Sequence, residues 1–209
     1  YMKSVGIDTL VIIRGSLNGR TLFKSKTFPS LREEGEDFIA FVLKEAQKRK
    51  MKVFIGLYMT TIDWNKGDSL NEVKVNKIYI DEVYARYKKY SSFYGWYISH
   101  EVSCDEFNII PLFDGISKYL KKVSPEKKVL ISPFYKAPNM YANGEYLTPE
   151  QMIKEWSKIL KNSGKYIDYA AFQDGSAPIE VYESYVKAAK TICDKFDIEL
   201  WANVETFER

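Results

Sequence analysis

Six short apolar runs, at residues 9–13, 52–58, 94–99, 128–132, 166–172 and 198–204, constrain this chain more than any other feature. They start 43, 42, 34, 38 and 32 residues apart, and nearly every gap holds a helical pattern. Strands alternating with helices at this spacing imply βαβ units and a parallel sheet. No linker, low-complexity tract or charge block interrupts the alternation, so residues 1–209 are expected to form one α/β domain.

The helix starts carry physical signatures. Ser30 with Glu33 reads as a capping box ahead of Phe38-Ile39-x-x-Val42-Leu43. Thr148-Pro149-Glu150-Gln151 supplies a capping threonine, a proline at the first helical position and a glutamine at the third. Pro178 opens another helix, and Asn162-Ser163-Gly164 reads as a terminus at which glycine takes the left-handed conformation. Helical periodicity also covers residues 71–90 and 106–123.

Two architectures fit such a pattern: an open doubly wound sheet or a (β/α)8 barrel. The turn after the first run, Arg14-Gly15-Ser16-Leu17-Asn18-Gly19-Arg20, has neither the G-x-G-x-x-G nor the GK[ST] pattern that an open nucleotide-binding sheet shows. That favours the barrel. A full barrel typically takes about 250 residues. The six runs are therefore expected to be strands two to seven, with strand one before Tyr1 and strand eight after Arg209.

Composition narrows the function classes. Against 31 basic residues stand 28 acidic ones, a surplus of +3 that gives no ground for a nucleic-acid partner. No apolar run approaches the roughly 18 residues that span a bilayer. One histidine and two cysteines make a metal centre improbable, and no cofactor is implied. Cys104 falls near the top of the barrel and Cys193 before the bottom, so two free thiols are expected. No secretory signal is visible. A secreted or periplasmic protein would carry one outside this sequence. Oligomeric state is not legible.

Chemistry in a barrel sits at the C-terminal strand ends. The run Tyr94-Gly95-Trp96-Tyr97-Ile98-Ser99-His100-Glu101 and the run Ile198-Glu199-Leu200-Trp201-Ala202-Asn203-Val204-Glu205 each end in glutamate. By period-2 alternation Trp201, Asn203 and Glu205 share the inward face, as do Tyr97, Ser99 and Glu101. Paired carboxylates suit glycosidic cleavage: one protonates the leaving oxygen and the other attacks or activates water. The plain alternative is two solvated strand-end residues.

Three segments together carry a family resemblance: Phe93-Tyr94-Gly95-Trp96-Tyr97-Ile98 with Glu101, Phe172-Gln173-Asp174-Gly175, and Leu200-Trp201-x-x-x-Glu205-x-Phe207. Along nearly the whole chain the sequence resembles the DUF4434 family, bacterial TIM-barrel proteins regarded as glycoside-hydrolase-like. It is also similar to the large retaining clan of barrel glycosidases, whose acid/base and nucleophile glutamates close strands four and seven. The resemblance implies Glu101 as acid/base and Glu205 as nucleophile. Where that clan usually places Asn before the acid/base, this sequence has His100. By parity His100 points away from the mouth.

Supporting contacts follow from residue type. Tyr97 and Asn203 share the inward face with the glutamates, and Gln173 could bind a sugar or orient Glu205. Trp64 and Tyr135, on the segments after the second and fourth runs, offer faces on which sugar rings stack. Arg14, ending the first run, could bind an anionic group or serve as a rim ion-pair partner. The expected function is retaining glycoside hydrolysis on a carbohydrate substrate. Its rival is a non-catalytic carbohydrate-binding barrel with the same aromatic mouth.

Overall fold

The computed structural model describes residues 1–31, 37–60, 66–104, 108–138, 144–174 and 177–204. Six strands form one parallel sheet: β1 (Thr9–Ile12), β4 (Lys52–Gly56), β5 (Phe93–Ile98), β6 (Lys128–Ile131), β7 (Tyr169–Ala170) and β8 (Glu199–Leu200), hydrogen-bonded in that order. They are the six apolar runs, five of them trimmed at their ends and the third shifted one residue earlier, to start at Phe93. A separate two-stranded hairpin, β2 (Ser16–Leu17) and β3 (Arg20–Thr21), follows β1. Among the described residues five α-helices lie between: α1 (Phe38–Lys48), α2 (Ser69–Tyr87), α3 (Ile109–Val123), α4 (Pro149–Ser163) and α5 (Ile179–Lys195). No described helix is long and apolar enough to cross a membrane.

Alternation along the strands divides the interior in two. Val53, Ile55, Trp96, Ile98, Val129, Ile131 and Ala170 face outward into the main core with the helices. Phe54, Tyr97 and Leu130 face inward and pack with Tyr94, Tyr169, Ala171 and Trp201. The Phe54 ring on β4 meets Trp201, just past β8 with three strands between them, at a centroid distance of 6.0 Å. Such a contact needs a sheet curled on itself, as in a barrel.

The sheet is bent by one irregularity. Val53 pairs with Phe93 but Phe54 pairs with Gly95, so Tyr94 is an extra residue on β5. A bulge of this kind lets Tyr94 and Tyr97 both enter the barrel. Gly95 is the residue it requires: a Cβ there would lie 2.6 Å from the Phe54 ring and 2.4 Å from the Lys128 carbonyl.

The helix ends confirm some expectations and correct others. Thr148 caps α4 as expected, and with Gln151 it forms a reciprocal box, at 3.3 and 2.8 Å. Pro178 is the N-cap of α5. The cap of α1, however, is Asp37, which accepts from the Ala40 amide at 2.9 Å. Ser30 instead bridges Thr21 and accepts from the Ser25 amide, and Glu33 lies outside the described residues. Asp37 also accepts from the Tyr87 hydroxyl and the Arg86 guanidinium, which fastens α1 to α2. Gly164 is right-handed, not left-handed, because the chain runs straight into a 3-10 turn at Gly164–Tyr166. Its missing side chain leaves room for Phe196. Cys104 and Cys193 are both buried and not joined in a disulfide, and burial pushes the Cys193 thiol up to about 12.

Candidate active site

The C-terminal ends of the strands surround a cavity of about 360 Å³. β1 and its end contribute Val11 and Ile13, and the end of β5 contributes Tyr97 and Glu101. β6 gives Leu130 and Ser132, while Ala171 and Gln173 follow β7. Beyond β8, Trp201, Ala202 and Asn203 complete the wall. Residues far apart in sequence thus meet at the end of the sheet where barrel chemistry resides.

Glu101 is partly exposed, and Tyr97 donates its phenolic hydrogen to Oε1 at 2.6 Å. Burial, and after it the charge of Glu101 and the bond to it, push the Tyr97 phenol far above the ordinary tyrosine range. Ser132 and the cation of Arg14 act in the opposite sense. The phenol therefore stays protonated and serves as a fixed donor. With Oε1 held, Oε2 is the oxygen left to face a ligand.

On the neighbouring strand, just past β6, Ser132 organises the wall. Its hydroxyl donates to the Ala171 carbonyl at 2.7 Å, and its own carbonyl accepts from the Gln173 amide at 2.9 Å. Asn203 Nδ2 stands 3.4 Å from the Ser132 hydroxyl. Trp201 packs against Tyr169, centroids 4.5 Å apart and planes tilted by 37°, and its indole donates to Glu199 at 2.9 Å.

The structure brings Glu101, Tyr97, Gln173 and Asn203 into one cavity. Arg14 is exposed just past β1, one residue beyond the wall residue Ile13. Tyr135 stands elsewhere: it is 3% exposed, stacked on Phe172 at 5.5 Å and 6°, with Tyr182 against its edge. It belongs to the outer core, because the segment after β6 folds back on the helices and is tied to Gln173 through its backbone amide. It is not a wall of this cavity. Trp64 and Glu205 lie outside the described residues.

Two residues that matter here had no place among the sequence candidates. Ser132 was legible in principle, being two positions beyond the inward Leu130. Glu72, in the first turn of α2, is fully buried and holds His100, Nε2 to Oε2 at 3.0 Å. Nothing in the sequence separates it from an exposed helix-start glutamate. His100 faces the helix layer, as its parity requires.

The family model described as "Domain of unknown function (DUF4434)" matches residues 1–209. Among solved structures, one from Bacteroides thetaiotaomicron described as a "putative alpha-L-fucosidase" is 31% identical, with a TM-score of 0.90. The match covers 99% of this chain and 65% of that one, so the chain spans just under two thirds of its length. An intracellular xylanase of Thermoanaerobacterium saccharolyticum, solved with xylotriose, is 13% identical with a TM-score of 0.56, over 92% of this chain and 63% of its own. A GH10 xylanase from termite gut is 12% identical with a TM-score of 0.57, over 92% and 48%. The two xylanases share the fold alone: this is the TIM-barrel fold of glycoside hydrolases. No curated protein matches the sequence.

Proposed function

We propose a function from one premise: the chain belongs to the DUF4434 family. The function is hydrolysis of a glycosidic bond with retention, in the cavity at the C-terminal strand ends. Glu101 delivers a proton from Oε2 to the leaving-group oxygen. Glu205 attacks the anomeric carbon as the glycosidic bond breaks, giving a covalent glycosyl-enzyme. Glu101, now a carboxylate, takes a proton from the water that releases the sugar. Tyr97 keeps Glu101 aimed, while the amides of Gln173 and Asn203 supply donors for sugar hydroxyls.

The observation that carries this reading is the carboxyl of Glu101, held at Oε1 by Tyr97 and lining the same cavity as Asn203, two residues before Glu205 in sequence. The glycosidase fold of the structural neighbours supports it at a coarser level. No metal or organic cofactor enters the chemistry.

The test is turnover of a panel of aryl glycosides, α-L-fucoside and β-D-xyloside included, by the unmutated protein and two variants. Glu101→Gln is expected to lower kcat for an unactivated aryl glycoside by about 100-fold or more. Glu205→Gln is expected to abolish turnover while leaving sugar affinity unchanged. Binding without turnover in the unmutated protein would instead make this a carbohydrate-binding barrel.

A further inference from the structure

We infer that the buried Glu72–His100 pair is a positioning device for Glu101, tying the acid/base residue to the start of α2. The inference rests on the reading that Glu101 is the acid/base group.

The pair sits in the layer behind the cavity wall. Both side chains are 0% exposed. Glu72 Oε1 accepts from the Thr60 amide at 3.0 Å and from the Thr60 hydroxyl, while Oε2 meets His100 Nε2 at 3.0 Å. A carboxylate only accepts, so Nε2 carries the hydrogen and the imidazole is oriented by the bond. Asn76, one turn on from Glu72, accepts from the Tyr58 amide and donates to the Tyr58 and Glu72 carbonyls, each at 3.0 Å.

The residues immediately before Glu101 are therefore anchored twice. The Ser99 hydroxyl accepts from the Leu57 amide at 2.8 Å and donates to the Leu57 carbonyl at 3.2 Å. His100 is anchored to Glu72. The Glu101 amide then donates to the Ser99 carbonyl at 3.1 Å. Taking a carboxylate and an imidazole out of water is costly, and an apolar pair of similar volume would often serve stability as well. What an apolar pair lacks is direction. A hydrogen-bonded pair fixes one rotamer of His100 and so the backbone from which Glu101 projects. An error of about 1 Å in the acid's place costs up to about 100-fold in rate.

The test uses His100→Ala, His100→Gln, which keeps a donor near the Nε2 position, and Glu72→Gln. The probes are phenyl and 2,4-dinitrophenyl glycosides of a sugar the unmutated protein cleaves. A misplaced acid hurts the poor leaving group and spares the activated one, whereas a merely smaller folded fraction lowers both alike. His100→Ala is expected to lower kcat/KM on the phenyl glycoside by about 10-fold, with much less effect on kcat/KM for the dinitrophenyl glycoside, because kcat/KM reports the bond-breaking step in which the acid acts. His100→Gln should recover most of the loss. In Glu72→Gln, amide exchange over residues 98–102 should quicken while residues 128–131 keep their protection. Equal losses on both glycosides, or unchanged exchange over residues 98–102, overturn the inference and leave the hydrolase reading standing. If the unmutated protein cleaves no glycoside, the hydrolase reading falls and takes the inference with it.

Discussion

The two ends of the sheet treat a carboxylate in opposite ways. At the N-terminal ends of the strands, Asp168 accepts from Lys121 at 2.7 Å, Lys128 at 2.8 Å and the Val129 amide at 2.9 Å. Lys121 and Lys127 also donate to the carbonyls of Lys127 and Phe93, so the end of the sheet is laced together. At the C-terminal ends, Glu101 accepts one hydrogen bond, from Tyr97, among the described residues, and borders a cavity. A carboxylate with its acceptor sites filled stabilises. One with an oxygen left open is available for chemistry. The barrel separates the two tasks by strand direction.

Three substitutions would break or sharpen this contrast. The largest effect is expected from Gly95→Ala at the β5 bulge, since the added methyl meets a backbone carbonyl as well as the Phe54 ring. Overpacking that the backbone must absorb costs about 3 kcal/mol. Urea unfolding should show it as a lower midpoint with an unchanged slope.

Asp168→Asn comes next, at about 1–2 kcal/mol, with turnover untouched. Two charge-assisted bonds are lost, but Lys128 is 42% exposed and solvent screens its share. Burial alone would raise the Asp168 pKa; the two lysines and the Val129 amide more than offset it and leave the pKa lowered. Its contribution is therefore present above the unfolded carboxylate value of about 4. It fades as pH falls from there through the lowered folded value. Chemical denaturation of both proteins between pH 7 and pH 2.5 should converge at the acid end. A difference that persists there would contradict the assignment.

Tyr97→Phe should move stability least, by about 1 kcal/mol, because Glu101 can turn to water. Its kcat on a phenyl glycoside should nonetheless fall, since Oε1 is no longer held. A stability loss larger than that of Asp168→Asn would erase the distinction between the ends.

Much of this division was legible in the sequence. Six apolar runs at near-even spacing give the order and direction of the strands. Period-2 alternation places Tyr97 and Trp201 inside and His100 outside, because residues beyond the bulge keep their parity. The bulge itself was not legible, since an extra residue changes pairing without changing composition. The β2–β3 hairpin has its own signal in the same turn that lacks a phosphate-loop pattern: Asn18-Gly19, both at positive φ, is the dipeptide that closes tight hairpins. Tyr135 misled because an aromatic beside polar residues reads alike whether it meets a sugar or Phe172. Glu72 was invisible because only tertiary packing buries it.

The central claim is that Glu101 and Glu205 face one another across the cavity as acid/base and nucleophile. A crystal structure resolving both side chains tests it most directly. The account predicts carboxyl groups about 5–5.5 Å apart, as retention requires. A separation above about 10 Å, or carboxyls directed to opposite ends of the barrel, would contradict it.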